Sequence, residues 1–522
     1  MMKYLTESFV WRRVGLLYAW LSTSFLGRLY RAFAKAWCSS WVYGLFRRML
    51  CSPSRVEESF LHHLGSRGNC ALRRKGQGLI QGASRSFLVS GLGKGIREST
   101  LLGALYAKGA TTLLLLCFCF YAIIDYVLRD VLVIAGFSSV WDELLMVLSM
   151  VWIILRTVKS EKDLKSRMNP LDGFVLFYIL TGTLLLILCS TWRMDIHVTG
   201  FRASIQYLLV FFLVTRLIRH DSDFMTMYKT LVLIATVLAA YGVLQFIIGV
   251  EVPEQWTDKA EQDVRTRVFA IFSNPNVLGG YMVLFTPMTI GMAYAQKDLK
   301  GKVFYWACGL CMCGACLFTM SRGSWVALAL AAVLFALIVD RKLFGLLIMA
   351  GVLACFLPFV RSRIGYLFTA EFQESNQRGG RGVRWARAFS YVTEADAWAT
   401  GLGYGMYGGA VAMQNQVNPH YVYTYVDNYY VKTIAENGLI GLSALLTMLS
   451  GLLWNGARAC ARNSRTEYKP LCAGMLVGLL GVLVQMYFEC LWEEPYFMAL
   501  YFVVAAMLIY AGFLRKKENE SN

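Results

Sequence analysis

Two arginines stand at apolar runs, one opening its run and one interrupting it. Arg267 opens the stretch Arg267-Val-Phe-Ala-Ile-Phe-Ser-Asn-Pro-Asn276, which leads into an apolar run, and Arg322 interrupts another at Thr319-Met-Ser-Arg-Gly-Ser-Trp325. At a membrane an arginine is costly unless it faces water or an anion. Nothing acidic lies near Arg322 in sequence to pair with it. A planar guanidinium grips phosphate oxygens through two parallel hydrogen bonds, so two arginines on one membrane face imply a site for a phosphate-bearing lipid. Asn274-Pro275 sets a turn just before an apolar segment, where the free amides of a starting helix would add to an anion pocket. The structural alternatives are a helix cap and arginines that snorkel to the headgroups.

A second concentration of chemistry lies in residues 361–429, which hold six arginines and no lysine. Arg378-Gly-Gly-Arg-Gly-Val-Arg-Trp-Ala-Arg387 reads as flexible at its start and helical after it. Gly401-Leu-Gly-Tyr-Gly-Met-Tyr-Gly-Gly409 is a glycine and aromatic loop that can approach a ligand closely, and Tyr404 and Tyr407 suit stacking on a sugar as well as plain packing. Then come His420, the segment's one histidine, and the pair Asp427-Asn428. Lys432 and Glu436 follow at i,i+4, the spacing of an ion pair that lowers the cost of both charges inside a membrane. No acidic pair of the kind that holds a nucleotide-sugar metal, no Walker motif and no HExxH occurs, which argues against an ATPase, a zinc protease or a cytoplasmic sugar-nucleotide enzyme. No metal and no cofactor is expected.

The elements that must position these residues are membrane helices. The chain is 57% hydrophobic and 16% charged, with a mean hydropathy of +0.49. Its repeated apolar runs of spanning length place it in the all-α class as a polytopic membrane bundle. Twelve spans are predicted near 102–124, 138–157, 172–190, 203–217, 229–250, 277–295, 303–319, 324–339, 343–360, 430–454, 471–490 and 496–514. The connections rich in Lys and Arg alternate regularly and belong inside the cell with both termini. That leaves the 251–276 loop, the Ser321-Arg322 turn and the long 361–429 loop, between helices 9 and 10, outside the cytoplasmic membrane.

Residues 1–100 form a separate basic region, the transmembrane domain covers 101–515, and 516–522 is a cytoplasmic tail. Of the net charge of +18, residues 1–99 carry +12, from 16 Lys and Arg against four Asp and Glu. Amphipathic helices lying on an anionic leaflet account for this, with 66–100 as a loose linker and no nucleic acid implied. Most of the 14 cysteines fall in that region or in apolar runs, so structural disulfides are not expected. Cys308, Cys311, Cys313 and Cys316 spread around one apolar helix and read as packing residues rather than metal ligands.

Taken in order, Arg267 with Phe272-Ser-Asn-Pro-Asn-Val-Leu-Gly279, Ser321-Arg-Gly-Ser-Trp325, Gly401-Leu-Gly-Tyr-Gly405 and Asp427-Asn-Tyr-Tyr through Glu436-Asn-Gly-Leu-Ile-Gly441 resemble the O-antigen ligase and O-antigen polymerase superfamily. The resemblance covers about residues 100–515. It implies transfer of a glycan from an undecaprenyl-diphosphate carrier to a hydroxyl acceptor, a glycan or a lipid or polymer, without metal or nucleotide. Arg267 and Arg322 match the family's motif arginines and would hold the diphosphate, with Arg265 or Arg384 as helpers. Tyr404, Tyr407 and Asn428 would face the glycan or acceptor. Many family ligases read His-Asn where this chain reads Asp427-Asn428. The base is therefore either Asp427, the positional match, or His420 folding back, and the departure favours a polymerase or a ligase of another acceptor. A secondary transporter of a small anion or other solute is the alternative from a different class.

Overall fold

A computed structural model describes residues 39–52, 56–84, 109–134, 136–159, 167–189, 192–251, 266–416 and 425–515, with six further positions between 23 and 36. Among them every regular element is helical. The amino-terminal helices are α1 (Trp41–Cys51), α2 (Phe60–Ser84), α3 (Ala110–Cys119), α4 (Tyr121–Tyr126), α5 (Trp141–Lys159) and α6 (Asp172–Leu188). Next come α7 (Met194–Ile205), α8 (Leu209–Leu217), α9 (Asp221–Ile248), α10 (Pro275–Ala295), α11 (Leu299–Phe318), α12 (Arg322–Ile338) and α13 (Leu343–Cys355). The chain continues with α14 (Pro358–Gly365), α15 (Ala370–Gly379), α16 (Arg381–Glu394), α17 (Ala410–Asn415), α18 (Tyr429–Arg462), α19 (Tyr468–Gln485) and α20 (Pro495–Ile509).

Among the described residues, seven segments are long and apolar enough to cross a membrane, and up to nine if each of two bent pairs is one span. The bent pairs are Ala110–Cys119 with Tyr121–Val131, at 70°, and Leu343–Cys355 with Pro358–Phe368, at 81°. Helices α6 and α12 are apolar but 17 residues long. All twelve apolar runs thus contain helix, and seven to nine have the length and hydropathy of a crossing.

Three expectations are revised. The run 343–360 does not continue straight, because Pro358 takes the first position of a new helix and cannot donate to the old one. The segment after it is less open than expected: α14, α15 and α16 follow with only short breaks. Residues 66–84 belong to a 25-residue helix rather than a linker. A Cβ on Gly76 would meet Val158 of α5, so glycine there permits a close approach that outweighs its poor helix propensity.

The described residues form two compact units. In the first (Met1–Pro53, Thr236–Arg387, Cys460–Glu489), α10 is the centre and packs on α11, α12 and α19. Gly474 and Gly478 of α19 lie against the backbone of Pro287 and Leu284, where a side chain would not fit. Such close backbone contact drives helix association where lipid removes the hydrophobic gain. Thr286 and Thr289, inside α10, donate to Met282 O at 2.6 Å and Phe285 O at 2.9 Å, so their burial leaves no hydroxyl unsatisfied.

In the second unit (Ser54–Ala235, Ala388–Ala459, Cys490–Asn522), α20 is buried along its length and packs on α8. Helix α6 buries Val175, Tyr178, Gly182 and Leu185 and exposes Leu176, Leu180, Leu184 and Ile187. Both faces are apolar, as for a helix between protein and lipid. Arg216 forks onto Asp172 at 3.0 and 2.7 Å, neutralising a buried carboxylate.

Candidate functional site: an arginine-lined cavity

The first unit contains a cavity of about 160 Å³ lined by Arg267, Arg322, Arg363 and Arg381, with Asn276, Gln485 and Glu489 among the other lining residues. Its walls follow from local sequence. Helix α11 ends at Phe318, Met320 adopts a positive φ of 55°, and α12 starts at Arg322 behind Ser321. The irregular stretch before α10 is held in place from both sides. Val268 N donates to Phe318 O at 3.1 Å, and Ala270 N donates to Gln245 Oε1 at 2.8 Å. Asn274 caps α10 by accepting from Asn276 N at 2.8 Å, with Pro275 at the first helical position. Ala270 and Ser273 also have positive φ, 50° and 55°. Each such non-glycine residue costs of order 1–3 kcal/mol, and strain of this kind gathers at functional sites.

The four guanidiniums are fixed separately. Arg267 donates from Nε to Thr319 O at 3.1 Å and from Nη2 to Asn276 Oδ1 at 3.2 Å. Arg363, 7% exposed, donates from Nε to Met320 O at 3.2 Å. Arg381 donates from Nη2 to Phe488 O at 3.1 Å. Arg322 lies over the rings of Tyr366 and Phe372, 5.9 and 5.6 Å from their centroids. Four guanidiniums face one carboxylate, Glu489. Burial lowers the Arg267 pKa to about 10; Glu489 opposes the shift, and Arg322 and Arg381 reinforce it. A cavity with this excess of buried positive charge is suited to an anion with several oxygens, such as a phosphate or diphosphate.

Arg267 and Arg322, selected from sequence, are brought together here. Arg384 lies on α16 one turn beyond Arg381 and does not line the cavity. Arg265 and His420 lie outside the described residues. Arg363, Arg381, Gln485 and Glu489 were not selected. The signal for Arg381 was present in the lysine-free arginine segment, but choosing it over Arg384 needs the rotation of α16. Glu489 follows an apolar run more than 200 residues from Asn276, and nothing local marks it.

The other candidates fall in the second unit. Helix α18 is interrupted at Gly438, with φ 62° and ψ −167°. The 398–403 backbone fills the gap: the amides of Leu402 and Gly403 donate to Ala435 O and Glu436 O, both at 2.8 Å. Leu439 N and Ile440 N in turn donate to Trp398 O at 2.8 Å and Ala399 O at 3.1 Å. Lys432 Nζ lies 2.9 Å from Glu436 Oε2 and 3.2 Å from Glu493 Oε1, which extends the expected i,i+4 pair to three charges, Lys432 and Glu436 buried and Glu493 half-buried. Tyr404 and Tyr407 are buried, and the ring nitrogen Nδ1 of His197 lies 3.1 Å from Tyr404 O. Both rings pack the loop in this arrangement instead of standing open. Asn428 is buried and accepts from Tyr430 N and Val431 N at 2.9 and 3.1 Å, which makes it the cap of α18. Asp427, beside it, is half-buried with a φ of 50°. Among the described residues, no group of three or more His, Cys, Asp or Glu is placed to hold a metal ion.

Residues 307–446 match the model of the O-antigen ligase family. The match includes Arg322, Arg363, Arg381, Asp427 and Glu436, whereas Arg267, Asn276 and Glu489 lie outside it. No curated protein matches the chain.

Proposed function

We propose, from the match of residues 307–446 to the O-antigen ligase family and from the several apolar spans, that this is a multi-pass membrane protein of polysaccharide biosynthesis and that it carries out the following reaction. The protein transfers a glycan from a polyprenyl-diphosphate carrier, undecaprenyl diphosphate, to a hydroxyl acceptor at the outer face of the cytoplasmic membrane. Twelve spans, cytoplasmic termini and independence from metal and nucleotide belong to this reading. The observation that carries it is the cavity lined by Arg267, Arg322, Arg363 and Arg381.

The chemistry asks little else of the protein. The acceptor oxygen attacks the anomeric carbon, a new C–O bond forms, and the bond from that carbon to the diphosphate breaks. The hydroxyl proton passes to a base, and the diphosphate leaves with the electron pair. Its developing charge is what preorganised guanidiniums stabilise. The base is Asp427 or His420, and the glycan and acceptor meet the 401–428 segment. In vitro transfer from a matched polyprenyl-diphosphate oligosaccharide, in EDTA and without nucleotide, tests the reading. Arg267→Ala and Arg322→Ala are expected to abolish it, and whichever of Asp427→Asn and His420→Ala does so names the base. Unimpaired transfer by both arginine variants would sink the assignment.

One observation favours a second reading. A helix broken in an apolar span beside the charged cluster Lys432, Glu436 and Glu493 is a trait of secondary transporters. Protein-dependent solute uptake into liposomes, together with absent glycan transfer, would move transport to first place.

A further inference from the structure

Arg267 is held by a relay that ends on an acid. Asn276 Oδ1 accepts from Arg267 Nη2 at 3.2 Å, while Asn276 Nδ2 donates to Glu489 Oε2 at 2.6 Å. A guanidinium only donates and an ionised carboxylate only accepts. An asparagine between them is therefore fixed in one of its two amide orientations, with its oxygen turned to Arg267. The backbone is pinned at the same point, because Gln485 Nε2 donates to Asn276 O and to Ser324 Oγ, each at 2.8 Å. The amide cannot turn over without setting its NH₂ against the guanidinium and its oxygen against the carboxylate.

We infer that Glu489 is a positioning residue for anion recognition: through Asn276 it aims the guanidinium of Arg267 into the cavity. This rests on the proposed diphosphate site and deepens it. The inference assigns Glu489 no proton transfer. Its task needs an acceptor oxygen at Oε2 and not a negative charge, so the amide of Gln can replace it whereas a hydrocarbon cannot. Leaving Asn276 without its acceptor frees the amide to turn, and Arg267 loses one of its fixed contacts.

The test uses the purified full-length protein, with farnesyl diphosphate as the probe. Glu489→Leu and Asn276→Leu should each weaken binding about tenfold or more, the usual worth of a hydrogen bond to a charged group. The double variant should bind no worse than either single one, because both break one chain of contacts. Glu489→Gln should stay within about twofold of the parent. A second readout needs no ligand: modification of Arg267 by phenylglyoxal, followed by mass spectrometry, should speed up in Glu489→Leu and not in Glu489→Gln. Equal loss in the Gln and Leu variants would overturn the relay in favour of a charge role, and so would additive losses or an unchanged Glu489→Leu. If the parent protein does not bind farnesyl diphosphate, the proposed function fails. The phenylglyoxal pattern then decides the relay separately.

Discussion

Four guanidiniums with one carboxylate make the cavity's charge conditional on pH and on which arginines reach it. Arg267, with its pKa lowered to about 10 by burial, is charged at neutral pH. Affinity for farnesyl diphosphate should therefore be flat between about pH 7 and 9 and fall as pH rises through about 10. Stability moves the other way. An unfolded chain keeps the Arg267 proton to the higher pH of an ordinary arginine, so the cost of burying its charge, present in full below about 10, is relieved as pH rises above that value. Isothermal titration at graded pH reads the first effect, and an affinity that rises above pH 10 would contradict it. The same titration should find Arg363→Ala and Arg381→Ala weakened about tenfold or more and Arg384→Ala by less than about twofold. At this scale Arg267 and Arg322 were legible because one opens an apolar run and the other interrupts one. Arg363 and Glu489 were not, because what selects them is proximity across the fold and no local pattern reports that.

Among the elements, α18 carries the heaviest local demands. Its break at Gly438 sits where a Cβ would run into the Ala399 carbonyl, and its φ of 62° suits glycine. Gly438→Ala should cost about 1–3 kcal/mol or more, seen as a lower thermal midpoint in detergent. Lys432→Met leaves Glu436 and Glu493 facing each other without their cation. It should cost about 3–5 kcal/mol, the range for removing one partner of a buried ion pair. A midpoint within a degree of the parent in either variant would mean that the element relaxes where rigid packing is argued. Helices as such were readable from apolar runs, and so were the Lys432–Glu436 pair and the Asn274-Pro275 start of α10. The bend at Pro358 was missed because hydropathy has no direction. Helix α2 was missed because glycine weakens a helix in isolation yet lets this one pack on α5.

At the scale of the whole molecule, orientation and charge are the exposed claims. If both termini lie inside, as proposed, a green fluorescent protein fused after Asn522 should fluoresce and an alkaline phosphatase fused there should stay inactive; the reverse pattern would turn the proposed topology over. Basic helix α1 carries Arg47 and Arg48 beside the exposed Trp41, Leu45 and Met49, a composition suited to an anionic leaflet. The way α18 is completed has a consequence for descent and for grafting. Because residues 398–403 supply the hydrogen-bond partners that the helix lacks at Gly438, the two stretches should be exchangeable only as a single piece. A recombination point between 403 and 438 would hand each parent's helix to a stranger's loop. A chimera that moves 398–440 as one block keeps its seams where the backbone is already satisfied.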